Sequence, residues 1–200
     1  MFLDISSRNI RNVHLYGTFY IDELKVSRIT DPNTHNFWSA KGGVSLTNVL
    51  VPNLFLRAEY GMSMPITYEH RVPTLTFASN NYNMGFYMRD NSSDLYLSAA
   101  YKPIRGMTVS VSYNLAKHGP DYPYVVSDTV SVRVDEHPFM ERVIWQKEEY
   151  GFHLRYEVVN NTYLFASYLI SDITGEPEAV EYYTPALFRG SKQTFSFGFN

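Results

Sequence analysis

The chain has 200 residues, a formal net charge of -3 and no cysteine. That length supports one domain with a real interior, and the charge points neither to nucleic acid nor to an anionic membrane surface as partner. Without cysteine, disulfide staples, thiolate metal sites and cysteine nucleophiles are excluded.

Aromatic residues make up 16% of the chain, as 17 Tyr, 13 Phe and 2 Trp. Tyrosine in such excess suits β-strands, carbohydrate contact or the interfacial girdles of a membrane barrel. A mean hydropathy of -0.26 is too polar for a helical membrane protein. A barrel with a lipid face and a polar lumen averages to such a value. No run of about 20 apolar residues exists, so no helix is expected to cross a bilayer. Met1-Phe2-Leu3-Asp4-Ile5 lacks a basic stretch followed by an apolar core, so no secretory leader is read there. An exported protein needs one, and the expectation is a mature piece or a fragment.

Alternation of apolar and polar residues predicts the strands. In residues 13–21, Val13, Leu15, Phe19 and Ile21 oppose His14, Tyr16, Thr18 and Tyr20. Residues 38–48 alternate through Val44 and Leu46 despite their glycines, and in 54–62 the even-numbered residues oppose Phe55, Arg57 and Glu59. Leu95, Leu97, Ala99 and Tyr101 follow. The cleanest segment is 107–115, with Met107, Val109, Val111, Tyr113 and Leu115 against Thr108, Ser110, Ser112 and Asn114. Residues 150–158 alternate, 163–171 are apolar on both faces, and 194–199 place three phenylalanines on one side. The total is about eight strands.

The connections alternate in length. Tight turns are predicted at 51–53, 103–106 and 160–162, rich in Pro, Gly and Asn, which preset φ or accept positive φ. Long loops are predicted at 22–37, 63–93, 118–142 and 172–191. In an up-and-down meander all short turns fall at one end and all long loops at the other, the pattern of outer-membrane barrels. A soluble β-sandwich would not sort its connections so strictly by length. The predicted fold is therefore all-β, an antiparallel up-and-down transmembrane β-barrel, with this chain part of a larger one. The implied location is the outer membrane of a Gram-negative bacterium.

Asn53-Leu54-Phe55-Leu56-Arg57-Ala58-Glu59-Tyr60 leads into Tyr68-Glu69-His70, then Asn80-Asn81-Tyr82-Asn83-Met84-Gly85, Asn91-Ser92-Ser93-Asp94-Leu95-Tyr96-Leu97 and Lys102-Pro103-Ile104-Arg105-Gly106. This order resembles the C-terminal portion of the Wzi-like capsule-assembly outer-membrane proteins of Bacteroidetes, most densely over residues 53–119. The resemblance implies a large closed barrel and a role in attaching or organising capsular polysaccharide at the cell surface. The chain departs from that family in being short and in lacking a leader.

The histidines, His14, His35, His70, His118, His137 and His153, show no metal-ligand spacing, so neither metal nor other cofactor is expected. His153, with Arg155 and Glu157 on the same polar strand face, is the one hydrolase candidate, but no nucleophile elbow accompanies it. A charged wall network explains these residues and Arg57, Glu59 and Arg105 as well, and the protein is not expected to be an enzyme. The long loops carry Tyr68, His70, Arg71, Tyr82, Tyr87, Arg89, Tyr122 and Tyr124. Aromatic rings cover the C–H face of a sugar, polar side chains pair with its hydroxyls, and arginine would recognise the carboxylates of an acidic capsule. These eight are the candidate polysaccharide site. The alternative is that the aromatics fold the loops onto one another and plug the lumen. Expected partners are outer-membrane lipid and surface polysaccharide, with a porin or solute-transport barrel as the other function.

Overall fold

Nine strands, most of them where apolar and polar residues alternate, each pair antiparallel with their neighbours in a single sheet. The computed structural model describes residues 1–70, 72, 74, 76–80, 82–124 and 133–199. The sheet strands are β1 (Phe2–Ser7), β2 (Val13–Glu23), β3 (Phe37–Thr47), β4 (Leu54–Ser63), β7 (Ser92–Tyr101), β8 (Met107–His118), β9 (Trp145–Val159), β10 (Thr162–Gly175) and β11 (Gly190–Phe199). A two-residue ladder of β5 (Ala78–Ser79) and β6 (Tyr82–Asn83) lies in the β4–β7 connection. Two short helices, α1 (Ser27–Thr30) and α2 (Pro177–Tyr183), sit in the β2–β3 and β10–β11 connections. The architecture is mainly antiparallel β, as expected, with nine strands in the sheet rather than about eight. The sheet is an open meander whose edges are β1 and β11.

Register keeps the two faces distinct across the whole sheet. One row runs Val13, Leu46, Leu56, Ala99, Val111, Phe152, Tyr168 and Phe195, one residue from each of β2 to β11 in spatial order. A row on the opposite face runs His14, Ser45, Arg57, Ser98, Ser112, Gly151, Leu169 and Thr194. Side chains alternate along a strand, so a slip of one residue at any junction would interleave these rows. No junction slips. The irregularities fall at strand ends, beside Glu23 and between Thr162 and Tyr163.

The apolar face is bare. Val111 is 44%, Phe152 46% and Phe195 65% exposed. The chain exposes 13153 Å², about a third more than the ~9,700 Å² of a compact monomer of its mass. The well-buried side chains, among them Phe37, Ile66, Trp145, Asn91, His118 and Asp135, gather instead where the long connections meet.

Short joins link β1 to β2, β3 to β4, β7 to β8 and β9 to β10, and long ones link the rest. Each short join contains a residue at positive φ: Asn12 (65°), Asn48 (56°) and Asn53 (63°), Gly106 (80°) and Asn161 (63°). Asparagine and glycine tolerate this left-handed region better than other residues, so the sequence locates its own reversals. The long connections all leave from the other end of the sheet and pack together there.

Candidate functional site

Asn91 ties two of the long connections together. It is 1% exposed with φ of 49°. Its Nδ2 donates to the Pro120 carbonyl (2.8 Å), and its Oδ1 accepts from the Met140 amide (2.8 Å). Its own carbonyl accepts from the Gly119 amide (2.7 Å). The β4–β7 and β8–β9 connections are thereby held against each other. The β10–β11 connection joins them through Tyr183, whose hydroxyl donates to Asp121, and through an Arg142–Glu176 pair at 2.9 Å.

Between these connections lies a cleft of about 430 Å³, walled by Tyr68, Phe77, Tyr122 and Tyr182 and edged by Glu69, Arg89, Asp90 and Asp121. Tyr68 is its floor. The ring is 5% exposed, stacks on Tyr20 of the sheet at 5.3 Å, and its hydroxyl donates to Ser39. Gly85 lies against this ring: a Cβ there would stand 2.1 Å from Tyr68 Cε1, so only glycine lets the segment lie flat on it. Phe77 stacks on Tyr20 at 5.2 Å. The β4–β7 connection is therefore folded onto the polar face of the sheet.

Asp90 accepts from the Tyr68 amide at 3.0 Å. Burial, with the charges of Glu69 and Asp121 adding to it, pushes its carboxyl up to about 7 against the help of that amide. Burial also raises the Glu69 carboxyl, and the Tyr124 amide (3.3 Å) and the Arg89 charge only partly offset this. The cleft is thus aromatic, negative and partly desolvated, and its carboxylates repel one another.

The eight sequence-derived candidates divide. Tyr68, Arg89 and Tyr122 line the cleft. His70 and Tyr124 stack on each other at 6.1 Å beside Glu69. Tyr122 also stacks on His137 at 4.0 Å. Tyr87 opens onto a neighbouring cleft of about 340 Å³ against the sheet, with Lys41, Glu59 and Asp94. Tyr82 stands 77% exposed on the small β5–β6 ladder and lines neither cleft. Arg71 lies outside the described residues. Sequence reading missed Phe77, Asp90, Asp121 and Tyr182. They come from three connections, and no local spacing marks them as neighbours.

His153 lies on the polar face opposite Ser110 on one side and Ser167 on the other. Ser167 instead bonds Ser196 at 2.6 Å. Among the described residues no cluster of three or more His, Asp or Glu side chains is arranged to hold a metal ion. No helix among them is long and apolar enough to cross a membrane, which says nothing of strands. Comparison with protein families, curated proteins and solved structures finds no match.

Proposed function

We propose that the chain is part of the wall of an outer-membrane β-barrel, in the manner of a capsule-assembly protein, and that its loop cleft binds surface polysaccharide. The observation that carries the membrane reading is the bare apolar face, continuous over β2 to β11, with the connections folded on the polar face instead. A soluble sheet covers its apolar side with another layer. A barrel wall leaves that side to lipid. Strand lengths agree: β2 to β4 and β7 to β11 have 10 to 15 residues, where a tilted strand needs about 9–11 to cross.

Strand direction supports membership of a larger barrel. β1 and β11 are the first and ninth strands of an antiparallel meander, so they run the same way. Joining them directly would make one parallel seam. Antiparallel closure takes an odd number of further strands, giving the even total found in bacterial barrels.

The cleft supports saccharide binding through its stacked aromatic walls and acceptor-rich rim. The test is reconstitution. The polypeptide should float with phospholipid vesicles after an alkaline wash and retain polysaccharide there, and Tyr122→Ala should weaken retention. A monodisperse, folded polypeptide in detergent-free buffer would overturn the membrane reading.

A further inference from the structure

We propose that the short-join end of the sheet docks on anionic phospholipid headgroups; this rests on the membrane reading above. Two of its joins repeat one pattern. Arg8-Asn9-Ile10-Arg11-Asn12 and Lys102-Pro103-Ile104-Arg105-Gly106 each set an isoleucine between two cations, just ahead of Asn or Gly. Their geometry repeats as well. The Ile10 carbonyl accepts from the Val13 amide at 3.1 Å and the Ile104 carbonyl from the Met107 amide at 3.2 Å, with Asn12 and Gly106 at positive φ. The uncharged β3–β4 join lies between them and is bonded to both: the Asn12 carbonyl accepts from the Thr47 amide, and the Asn53 carbonyl from the Lys102 amide. Ile10, Leu50 and Ile104 are 61%, 75% and 57% exposed. Arg8, Arg11, Lys102 and Arg105 are exposed too. Lys102 rests on the Phe55 ring at 5.2 Å, but no ion pair among the described residues engages any of the four. The short joins themselves contain no Asp or Glu.

Register places these joins at one depth. Toward the long loops, the apolar face ends on a slant. In the pairing row from Phe19 to Thr174, the change from apolar to polar falls between Met62 of β4 and Ser93 of β7. In the next row toward the short joins, from Gly17 to Ser191, it falls between Leu115 of β8 and Glu148 of β9. In the row after that, from Leu15 to Gln193, it falls between Ile170 of β10 and Gln193 of β11. The boundary descends two residues for every two strands, or ~3.3 Å along for each ~4.8 Å across, a slope of about 35°. Barrel strands tilt by about that angle, which turns the slanted line level. The short joins keep the same slant. On the row that begins at Val13, β2 starts on the row itself, β4 two residues beyond it at Leu54, β8 four beyond at Met107 and β10 six beyond at Thr162. From Met107 to Leu115 the apolar run of β8 covers about 27 Å, or ~22 Å of depth at this tilt, close to the ~25 Å apolar band of such barrels. The joins therefore fall at the level of the far headgroups. Anionic headgroups attract cations held beside them, and isoleucines between the cations reach the acyl boundary. The opposite boundary has Glu148 and Asp172 against Lys117 on the same face, so the basic character belongs to the short-join side. A headgroup layer has to follow the strand tilt, whereas an acidic protein has no reason to.

The test uses the full chain in phosphatidylcholine vesicles that carry a trace of spin-labelled phosphatidylglycerol or spin-labelled phosphatidylcholine. Electron spin resonance reads the fraction of each label immobilised at the protein surface. Phosphatidylglycerol should be held about threefold more strongly than phosphatidylcholine. The preference should fade in ~1 M NaCl, where charges are screened beyond about 3 Å. It should also fade when Arg8, Arg11, Lys102 and Arg105 are all replaced by Gln, and it should persist in Lys117→Gln at the other boundary. Equal immobilisation of the two labels, a preference unchanged by the four replacements, or one lost in Lys117→Gln would overturn the inference and leave the membrane reading standing. Absence of an immobilised fraction for either label would remove both.

Discussion

Arg28 and Asp135, 107 residues apart in the chain, meet at 2.7 Å where their side chains are only 6% and 2% exposed. This pair joins the β2–β3 and β8–β9 connections, and the His35 amide bonding the Asp135 carbonyl at 2.9 Å reinforces it. Removing Arg28 leaves the buried Asp135 carboxylate only the exposed Arg133 at 2.9 Å, a loss of up to about 3–5 kcal/mol, whereas replacing both partners of the buried pair by apolar residues costs far less. Arg28→Ala should therefore release both connections to protease, and Arg28→Met with Asp135→Leu should restore most of the protection. Burial alone would raise the Asp135 carboxyl, but the Arg28 hydrogen bond and charge outweigh it and hold it below its usual value. A depressed carboxyl stabilises the docked loops above the unfolded value of 3.8 and loses that contribution as pH falls through the folded one. Protection of the His35 amide should fall on acidification below about pH 4.

The bare face gives a prediction that separates lipid from water as its surroundings. Val111 and Ser112 are neighbours on β8 with opposite orientations. Arginine facing the bilayer midplane costs about 2–4 kcal/mol, while an exposed position in water changes stability by about 0.5 kcal/mol or less. In vesicles Val111→Arg should lower the urea midpoint clearly and Ser112→Arg much less. Equal small effects would mean that Val111 faces water.

Turn chemistry at the short-join end is testable separately. Gly106 has φ of 80°, and a Cβ there would lie 3.1 Å from Glu157 Cβ and 3.2 Å from its carbonyl oxygen. Left-handed backbone costs an L-residue about 1–2 kcal/mol, and the close approach adds to it. Gly106→Ala should destabilise the β7–β8 hairpin by at least about 1 kcal/mol in urea titration. Asn161→Gly, at φ of 63°, should be neutral or better.

The sheet was more legible than the cleft, for physical reasons. Alternation over 107–115 specifies β8 because one face carries only Met, Val, Tyr and Leu. β1 escaped notice: Leu3 and Ile5 alternate with Asp4 and Ser6, but the strand has only 6 residues, and in its turn, 8–12, the asparagines Asn9 and Asn12 are separated by Ile10 and Arg11 rather than clustered. β9 begins at Trp145, earlier than the alternation suggested, because Gln146 and Glu148 put polar groups on its apolar side near the loop end. The cleft depends on docking. Tyr68 and Tyr122 were recognisable as loop aromatics, but Asp90 and Asp121 acquire their role only when Asn91 clamps two connections together.

Asp90 supplies the last prediction, which concerns how tightly the β4–β7 connection stays closed. Its carboxyl is raised from 3.8 to about 7 in the closed cleft, mainly by burial, with Glu69 and Asp121 adding like charge. The closed state therefore holds a proton that an opened, solvated Asp90 releases. Between those two values each pH unit shifts the balance toward opening by up to tenfold, and above about 7 the penalty is complete and the dependence levels off. Hydrogen exchange at the Tyr68 amide, which donates to Asp90, should report this after correction for intrinsic base catalysis. Its opening constant should rise from pH 5 to pH 7 and then flatten. Asp90→Asn keeps an acceptor for that amide and has no proton to lose, so most of the slope should vanish, with a remnant from the raised Glu69 carboxyl. A profile as steep in Asp90→Asn as in the parent would place the titrating group elsewhere, because no other change in that variant touches the Tyr68 amide.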